Sequence, residues 1–248
     1  MLEGKAIIVT GAGSGIGRAS ALAVAAAGAK VMVSDISQVT ALETASQIRT
    51  AGGIAQIHCG DVSRSGFAEE LVQATLAAFE RLDGAHNNAG VETPIALITE
   101  IEEADFDRSM AVNLKAVWLA MRAQLRHMAK SGSGAIVNTA SVGGLTAVPF
   151  NAGYSAAKHG VVGLSRTAAV EFAPMGIRVN ALCPGLTRSG MTERLIQAAP
   201  EMIEAIMPPM KRMANPAEIA GTVVFLLSDQ ATYLTGQAVT VDGGATAI

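Results

Sequence analysis

Tyr154 and Lys158 stand four positions apart in Tyr154-Ser-Ala-Ala-Lys158, and Ser141 lies thirteen residues upstream, ending Gly134-Ala-Ile-Val-Asn-Thr-Ala-Ser141. These side chains can move a proton. A free phenol titrates near ~10, so it is a poor base at neutrality. Bringing it to about 7 takes roughly 4 kcal/mol of preferential stabilisation of the phenolate. Residues i and i+4 share a helix face, so the Lys158 ammonium can lie beside the phenol and supply much of that in a partly dry site. Ser141 could then hold a substrate oxygen by a hydrogen bond, ready for proton transfer. A Tyr-x-x-x-Lys pair taken alone is usually a surface pair. Here tyrosine is scarce, with two in 248 residues, and Tyr154 sits among small residues that leave room for a ligand.

A second motif says what would accompany the proton. Thr10-Gly-Ala-Gly-Ser-Gly-Ile-Gly17 carries glycines at 11, 15 and 17, with an extra one at 13. It follows an apolar run and opens a helical stretch, the setting in which a dinucleotide pyrophosphate rests on a helix N-terminus. Asp35 comes eighteen residues after Gly17, past the next apolar run. Its carboxylate can accept hydrogen bonds from an adenosine 2′-hydroxyl and would repel a 2′-phosphate. Ile36 follows Asp35 and Ser14 occupies the turn, so no arginine compensates there. The expected cofactor is NAD rather than NADP. The competing reading makes Asp35 a cap for the helix that follows. The positive ring of an oxidised nicotinamide would also favour the Tyr154 phenolate.

The elements that must hold these residues alternate. Apolar runs at Ala6–Thr10, Lys30–Ser34, 54–58, up to Asn87, 135–139, 177–182 and 237–241 read as seven strands. Helical stretches separate them: from the glycine turn to Ala27 with Gly28 as C-cap, one capped by Ser37, one near 66–81, one long helix over 103–129, and the Tyr154 helix to about Phe172. His58-Cys59 reads as a buried strand end, not a metal site, because no second ligand pair exists. Continuous apolar strands between helices predict one Rossmann-type, doubly wound α/β domain over residues 1–248. Its parallel seven-stranded sheet would carry helices on both faces. Residues 186–215 break the alternation, with five of the eleven methionines and Pro200, Pro208 and Pro209. They form either an irregular helical excursion on the core or an adaptable apolar lid over a substrate.

Composition excludes other classes. Half the residues are hydrophobic and 16% are charged, enough for a sizeable core with surplus to bury between subunits. Net charge is −3 with scattered basic residues, so neither nucleic acid nor an anionic membrane is an expected partner. No apolar run approaches the roughly 20 residues of a membrane span, and no signal-peptide core is present. Two distant cysteines, Cys59 and Cys183, suit a reduced, cytoplasmic setting.

Taken in order, these motifs resemble the short-chain dehydrogenase/reductase family along the whole chain. The likeness rests on the glycine turn, Asp61-Val62, Asn87-Asn-Ala-Gly90, Asn113, Ser141, Tyr154-x-x-x-Lys158, Pro184-Gly185 and Asp242-Gly-Gly244. It implies Tyr154 as general acid/base and Lys158 as the group that lowers its pKa and binds the nicotinamide ribose. Ser141 would orient the substrate oxygen, and Asn113 would hold a water linking Lys158 to a proton relay. Gly11, Ser14, Gly15, Ile16 and Gly17 would cradle the dinucleotide. Asp61 and Val62 would border the adenine, Asn88, Ala89 and Gly90 would line the cleft, and Pro184, Gly185 and Thr187 would face the nicotinamide. His86 departs from the aliphatic residue common before the double asparagine and reads as a satisfied core histidine. Ser189 stands where threonine often does.

Glu92, Val142, Leu145, Val148, Phe150, Leu186 and Met191 are the candidate pocket walls. The set is mostly apolar and contains no arginine for a phosphate or carboxylate. A neutral secondary alcohol or ketone, hydrophobic or alicyclic, fits best, through NAD-dependent interconversion of the two. A 3-oxoacyl-carrier-protein reductase, a polyol or sugar dehydrogenase, and a non-catalytic dinucleotide sensor are the competing readings. Apolar helices at 103–129 and 154–172 lead us to expect a homo-oligomer, a tetramer by family likeness.

Overall fold

The computed structural model describes residues 1–198 and 200–247, except for the side chains of Met191, Leu195, Ala198, Pro200, Met202 and Ala205. Seven strands form one parallel sheet: β1 (Ala6–Thr10), β2 (Lys30–Ser34), β3 (Ile54–Ile57), β4 (Gly84–Asn87), β5 (Gly134–Thr139), β6 (Ile177–Pro184) and β7 (Ala238–Val241). Their order is β3-β2-β1-β4-β5-β6-β7. All five residues of β1 and all four of β4 are buried, as expected for central strands covered on both faces. The chain reverses its winding between β1 and β4, so their carboxyl ends open onto the crevice where such sheets bind ligands.

One face is covered by α1 (Gly15–Ala26), α2 (Gln38–Thr50) and α9 (Pro216–Leu227), through Val24, Ile48, Ile219 and Val223. The other is covered by α3 (Phe67–Phe79), α5 (Ala116–Ser131) and α6 (Ala152–Phe172), through Phe67, Leu71, Met128 and Val161. Gly28, at φ +99°, turns the chain out of α1 directly into β2. Ser37 caps α2 by accepting a bond from the Thr40 amide.

The expected helix over 103–129 is not continuous. α4 (Glu103–Met110) passes into one turn of π-helix, Ala111–Lys115, before α5 begins. There the Ala116 amide reaches back five residues to the Ala111 carbonyl. The wide turn carries Asn113, which is fully buried. Apolar periodicity cannot reveal a single inserted residue, so the sequence pattern reads straight through it.

The 186–215 excursion is pinned at its base. The Ala214 amide donates to the Leu186 carbonyl at 2.9 Å, and the Arg188 amide donates to the Ala214 carbonyl at 3.0 Å. Between these points lie α7 (Gly190–Ala198) and α8 (Pro200–Ala205). The excursion is therefore helical, standing over the carboxyl ends of the strands.

Candidate active site

Helix α6 delivers Tyr154 and Lys158 to one place. Lys158 is 3% exposed, and its Nζ lies 5.6 Å from the Tyr154 ring centroid and donates to the Thr139 carbonyl at 2.8 Å. Burial pulls the Lys158 pKa down to about 8. Burial also pushes the Tyr154 phenol above its ordinary value, while the Ser141 hydroxyl against it pulls the other way. The sequence leads to a lowered phenol, so the direction in the protein alone is opposite. Lys158 faces the ring and bonds a backbone carbonyl, which leaves desolvation as the dominant effect.

Ser141 follows β5 and caps a short 3₁₀ turn, Val142–Gly144, its Oγ accepting from the Gly143 amide at 3.0 Å. This turn seats α6. A Cβ on Gly144 would stand 2.6 Å from the Lys158 carbonyl oxygen, so only glycine lets the helix lie this close. Behind the site, burial raises the Cys183 thiol to about 11, which keeps it protonated and inert.

Asn113 does not present its amide to open space. Its Oδ1 accepts from the Val91 amide at 2.9 Å, and its Nδ2 donates to the Val91 carbonyl at 3.0 Å and to Ser109 at 3.2 Å. The side chain clamps the segment after β4, and its Oδ1 keeps one further lone pair. Gly90 lies between Asn113 and Lys158.

The glycine turn is built for an anion. Gly11 and Gly15 have φ of +62° and +51°, and a Cβ on Gly17 would meet the Gly11 carbonyl oxygen at 2.0 Å. Ser14 is the N-cap of α1 but makes no capping bond, and the first turn holds no acidic residue. The free N–H groups of that turn can take a pyrophosphate, so these residues fit a dinucleotide. Ile16 packs against the α1 core. Asn88 donates to the Thr10 carbonyl at 3.2 Å, and the Thr10 hydroxyl accepts from the Asn88 and Ala89 amides.

The Asp35 carboxylate is held by two backbone amides. Oδ1 accepts from the Ser37 amide at 2.9 Å, as in a cap, and Oδ2 accepts from the Gly13 amide at 2.8 Å. The second bond ties the carboxylate to the glycine turn. Each oxygen keeps a further lone pair for a ribose hydroxyl. Asp61 turns its carboxylate to Ser63, whereas Val62 lines a narrow apolar cavity with Thr10, Phe67 and Ala89. Pro184 ends β6, the Gly185 amide donates to the Val241 carbonyl, and buried Thr187 bonds the Gly185 carbonyl.

The proposed walls divide. Val148 packs at Gly143, next to Ser141 and Tyr154. Val142 and Leu186 are part-buried. Leu145 instead packs against the core below, because the 3₁₀ turn rotates it inward. Phe150 is 48% exposed at φ +62°, and its carbonyl receives the Ala96 amide. The Met191 side chain lies outside the described residues. Glu92 is paired with Arg194 of α7 at 2.5 Å. An arginine therefore stands beside one of the candidate wall residues, paired with its carboxylate. No local motif marks it, because 102 residues separate the partners.

The chain matches the family model described as Enoyl-(Acyl carrier protein) reductase over residues 11–246. It is 40% identical to levodione reductase from Leifsonia aquatica, over 98% of this chain and 94% of that protein. The chain belongs to the short-chain dehydrogenase/reductase family. As a short-chain dehydrogenase/reductase it is an oxidoreductase of the alcohol–ketone class, and its family uses a nicotinamide dinucleotide. The solved levodione reductase structure matches this one with a TM-score of 0.96, over 100% of this chain and 99% of that one. A 2,5-dichloro-2,5-cyclohexadiene-1,4-diol dehydrogenase from Sphingobium indicum is 42% identical over 100% of this chain and 99% of its own. A putative NAD(P)-dependent gluconate 5-dehydrogenase from Beutenbergia cavernae, solved with bound NADP, is 38% identical with a TM-score of 0.93, covering 100% of this chain and 98% of that one.

Proposed function

We propose that this enzyme interconverts a neutral, apolar or alicyclic secondary alcohol and its ketone with NAD. The observation that carries this reading is the convergence of Tyr154, Ser141 and the buried Lys158 at the carboxyl end of β5. Ser141 orients the substrate oxygen. Tyr154 takes the hydroxyl proton in oxidation and returns it in reduction. Lys158, held by the Thr139 carbonyl, keeps positive charge beside the phenol and binds the nicotinamide ribose. When bound, the dinucleotide supplies the hydride donor or acceptor and further positive charge, which offsets the burial that raises Tyr154. Asn113 fixes the segment after β4 that lines the cleft with Asn88, Ala89 and Gly90.

Asp35, oriented by the Gly13 amide, supports NAD over NADP. Val142, Val148 and Leu186, with the mutually neutralised Glu92 and Arg194, support an uncharged substrate, and a relative is named for a cyclohexadiene-diol. Exposed Phe106 and Val170, and exposed Trp118 in a groove with Met110, Leu114 and Leu164, support a homo-tetramer joined through α4, α5 and α6. Free Cys59 and Cys183 support a cytoplasmic setting.

The test is an absorbance assay for NADH across cyclic, aryl and aliphatic secondary alcohols and sugars, repeated with NADP. Tyr154→Phe should lose at least about a thousandfold in turnover yet bind NAD as before. Turnover retained in that variant would refute the proton-transfer role. Light scattering showing a monomer at micromolar concentration would refute the assembly.

A further inference from the structure

His86 is fully buried on β4, two residues before the segment that begins at Asn88. In the sheet it lies opposite Val137, so Thr139 is the next residue along β5 on the same face. The His86 Nε2 and the Thr139 hydroxyl are 2.8 Å apart. Which atom carries the hydrogen follows from the neighbours. The Asn88 amide nitrogen faces two backbone carbonyls, Thr10 at 3.2 Å and Gly11 at 3.5 Å, so it must be the donor end. Its oxygen then accepts from the Thr139 hydroxyl at 3.3 Å. A hydroxyl has one hydrogen, so Thr139 accepts from His86, and His86 carries its hydrogen on Nε2. Nδ1 has no partner among the described residues.

We propose that His86 is a positioning residue for the dinucleotide: as the neutral Nε2–H tautomer it fixes the direction of a hydrogen-bond chain from Thr139 through Asn88 to the glycine turn. Thr139 is the joint of this chain. Its hydroxyl serves the cofactor turn while its carbonyl holds Lys158. An aliphatic residue at position 86 has no hydrogen to give, so the Thr139 hydroxyl would lose the donor that turns it toward Asn88. Burial, which holds the His86 pKa near 3, keeps the ring neutral through the working range.

The inference rests on the reading of this cleft as a dinucleotide site, and the experiment separates the two. NAD is titrated calorimetrically into wild type, His86→Leu, His86→Gln, Thr139→Val and the His86→Leu/Thr139→Val double variant, with NADP in parallel. His86→Leu and Thr139→Val should each weaken binding about fivefold, the worth of one hydrogen bond. The double variant should lose no more than the weaker single one. His86→Gln, which retains a donor, should recover to within about twofold. A role in packing alone would lower the melting temperature without moving dinucleotide affinity. Long-range proton–nitrogen correlation spectra of the wild type should show a protonated Nε2 and a bare Nδ1. Unchanged affinity in both single variants, additive losses, or an Nδ1–H tautomer overturns the inference. A wild type that binds neither dinucleotide overturns the functional reading itself.

Discussion

Replacing Lys158 with methionine should stabilise the fold while removing the chemistry. The side chain is 3% exposed and its pKa is about 8, against 10.5 for the free group. Below pH 8 lysine is protonated in both the folded and unfolded chains, so the full desolvation penalty falls on the folded state. At ~1.4 kcal/mol per unit, that penalty is about 3 kcal/mol. Between about 8 and 10.5 the folded protein has released a proton that the unfolded chain still holds, so the penalty fades as pH rises. Methionine keeps a long unbranched stem without the charge. The variant also loses the bond to the Thr139 carbonyl, worth about 1 kcal/mol or slightly more. Lys158→Met should therefore be about 1–2 kcal/mol more stable at pH 7, with the advantage gone near pH 10. Urea midpoints of both proteins at the two pH values measure this, and turnover should be absent throughout. A variant less stable than wild type at pH 7, with a parallel pH dependence, would refute the claim that this charge is held against a desolvation penalty.

Other consequences can be checked separately. His86 titrates near 3 when folded and near 6.5 when unfolded. Stability should therefore fall as pH drops below 6.5, by up to ~1.4 kcal/mol per unit, and the urea midpoints of His86→Leu should fall less steeply. Gly144→Ala must push α6 off its seat, so kcat should drop by about a hundredfold with a smaller change in dinucleotide affinity, as steady-state kinetics would show. Arg194→Ala breaks a pair that is largely exposed, so stability should stay within about 0.5 kcal/mol. The uncovered Glu92 charge should raise the KM of an apolar alcohol severalfold, and an unchanged KM would remove Glu92 from the pocket wall.

Much of this was legible in the sequence because parallel α/β sheets write their strands as unbroken apolar runs. Ala6–Thr10 and Lys30–Ser34 match the structure residue for residue. The glycine turn was legible for a related reason, since close approach admits only one residue type. What stayed hidden depends on partners far along the chain. The π-turn at Asn113 inserts one residue without disturbing the apolar pattern. Arg194 meets Glu92 only once the excursion folds back over the strand ends. Thr139 and Thr10 look like ordinary strand residues, yet they join the glycine turn to Lys158. The direction of the Tyr154 shift could not be read either, because it depends on how dry the pocket is.

On the opposite face from His86, Asn87 and Asn138 sit side by side in register and bond to one another at 2.9 Å. Gln124 of α5 exchanges two bonds with Asn87, and Ser165 of α6 accepts from Asn138. Neighbouring strands made of valine, isoleucine and alanine say little about how they should align. A slip of two residues would keep every apolar side chain on its proper face. These amides remove that freedom, since a slipped pairing would bury them without partners at roughly 1–3 kcal/mol for each stranded group. The pair thus acts as an alignment key for the middle of the sheet. Because Ser141 follows β5 three residues after Asn138, the same key sets how far Ser141 reaches toward Tyr154 on α6.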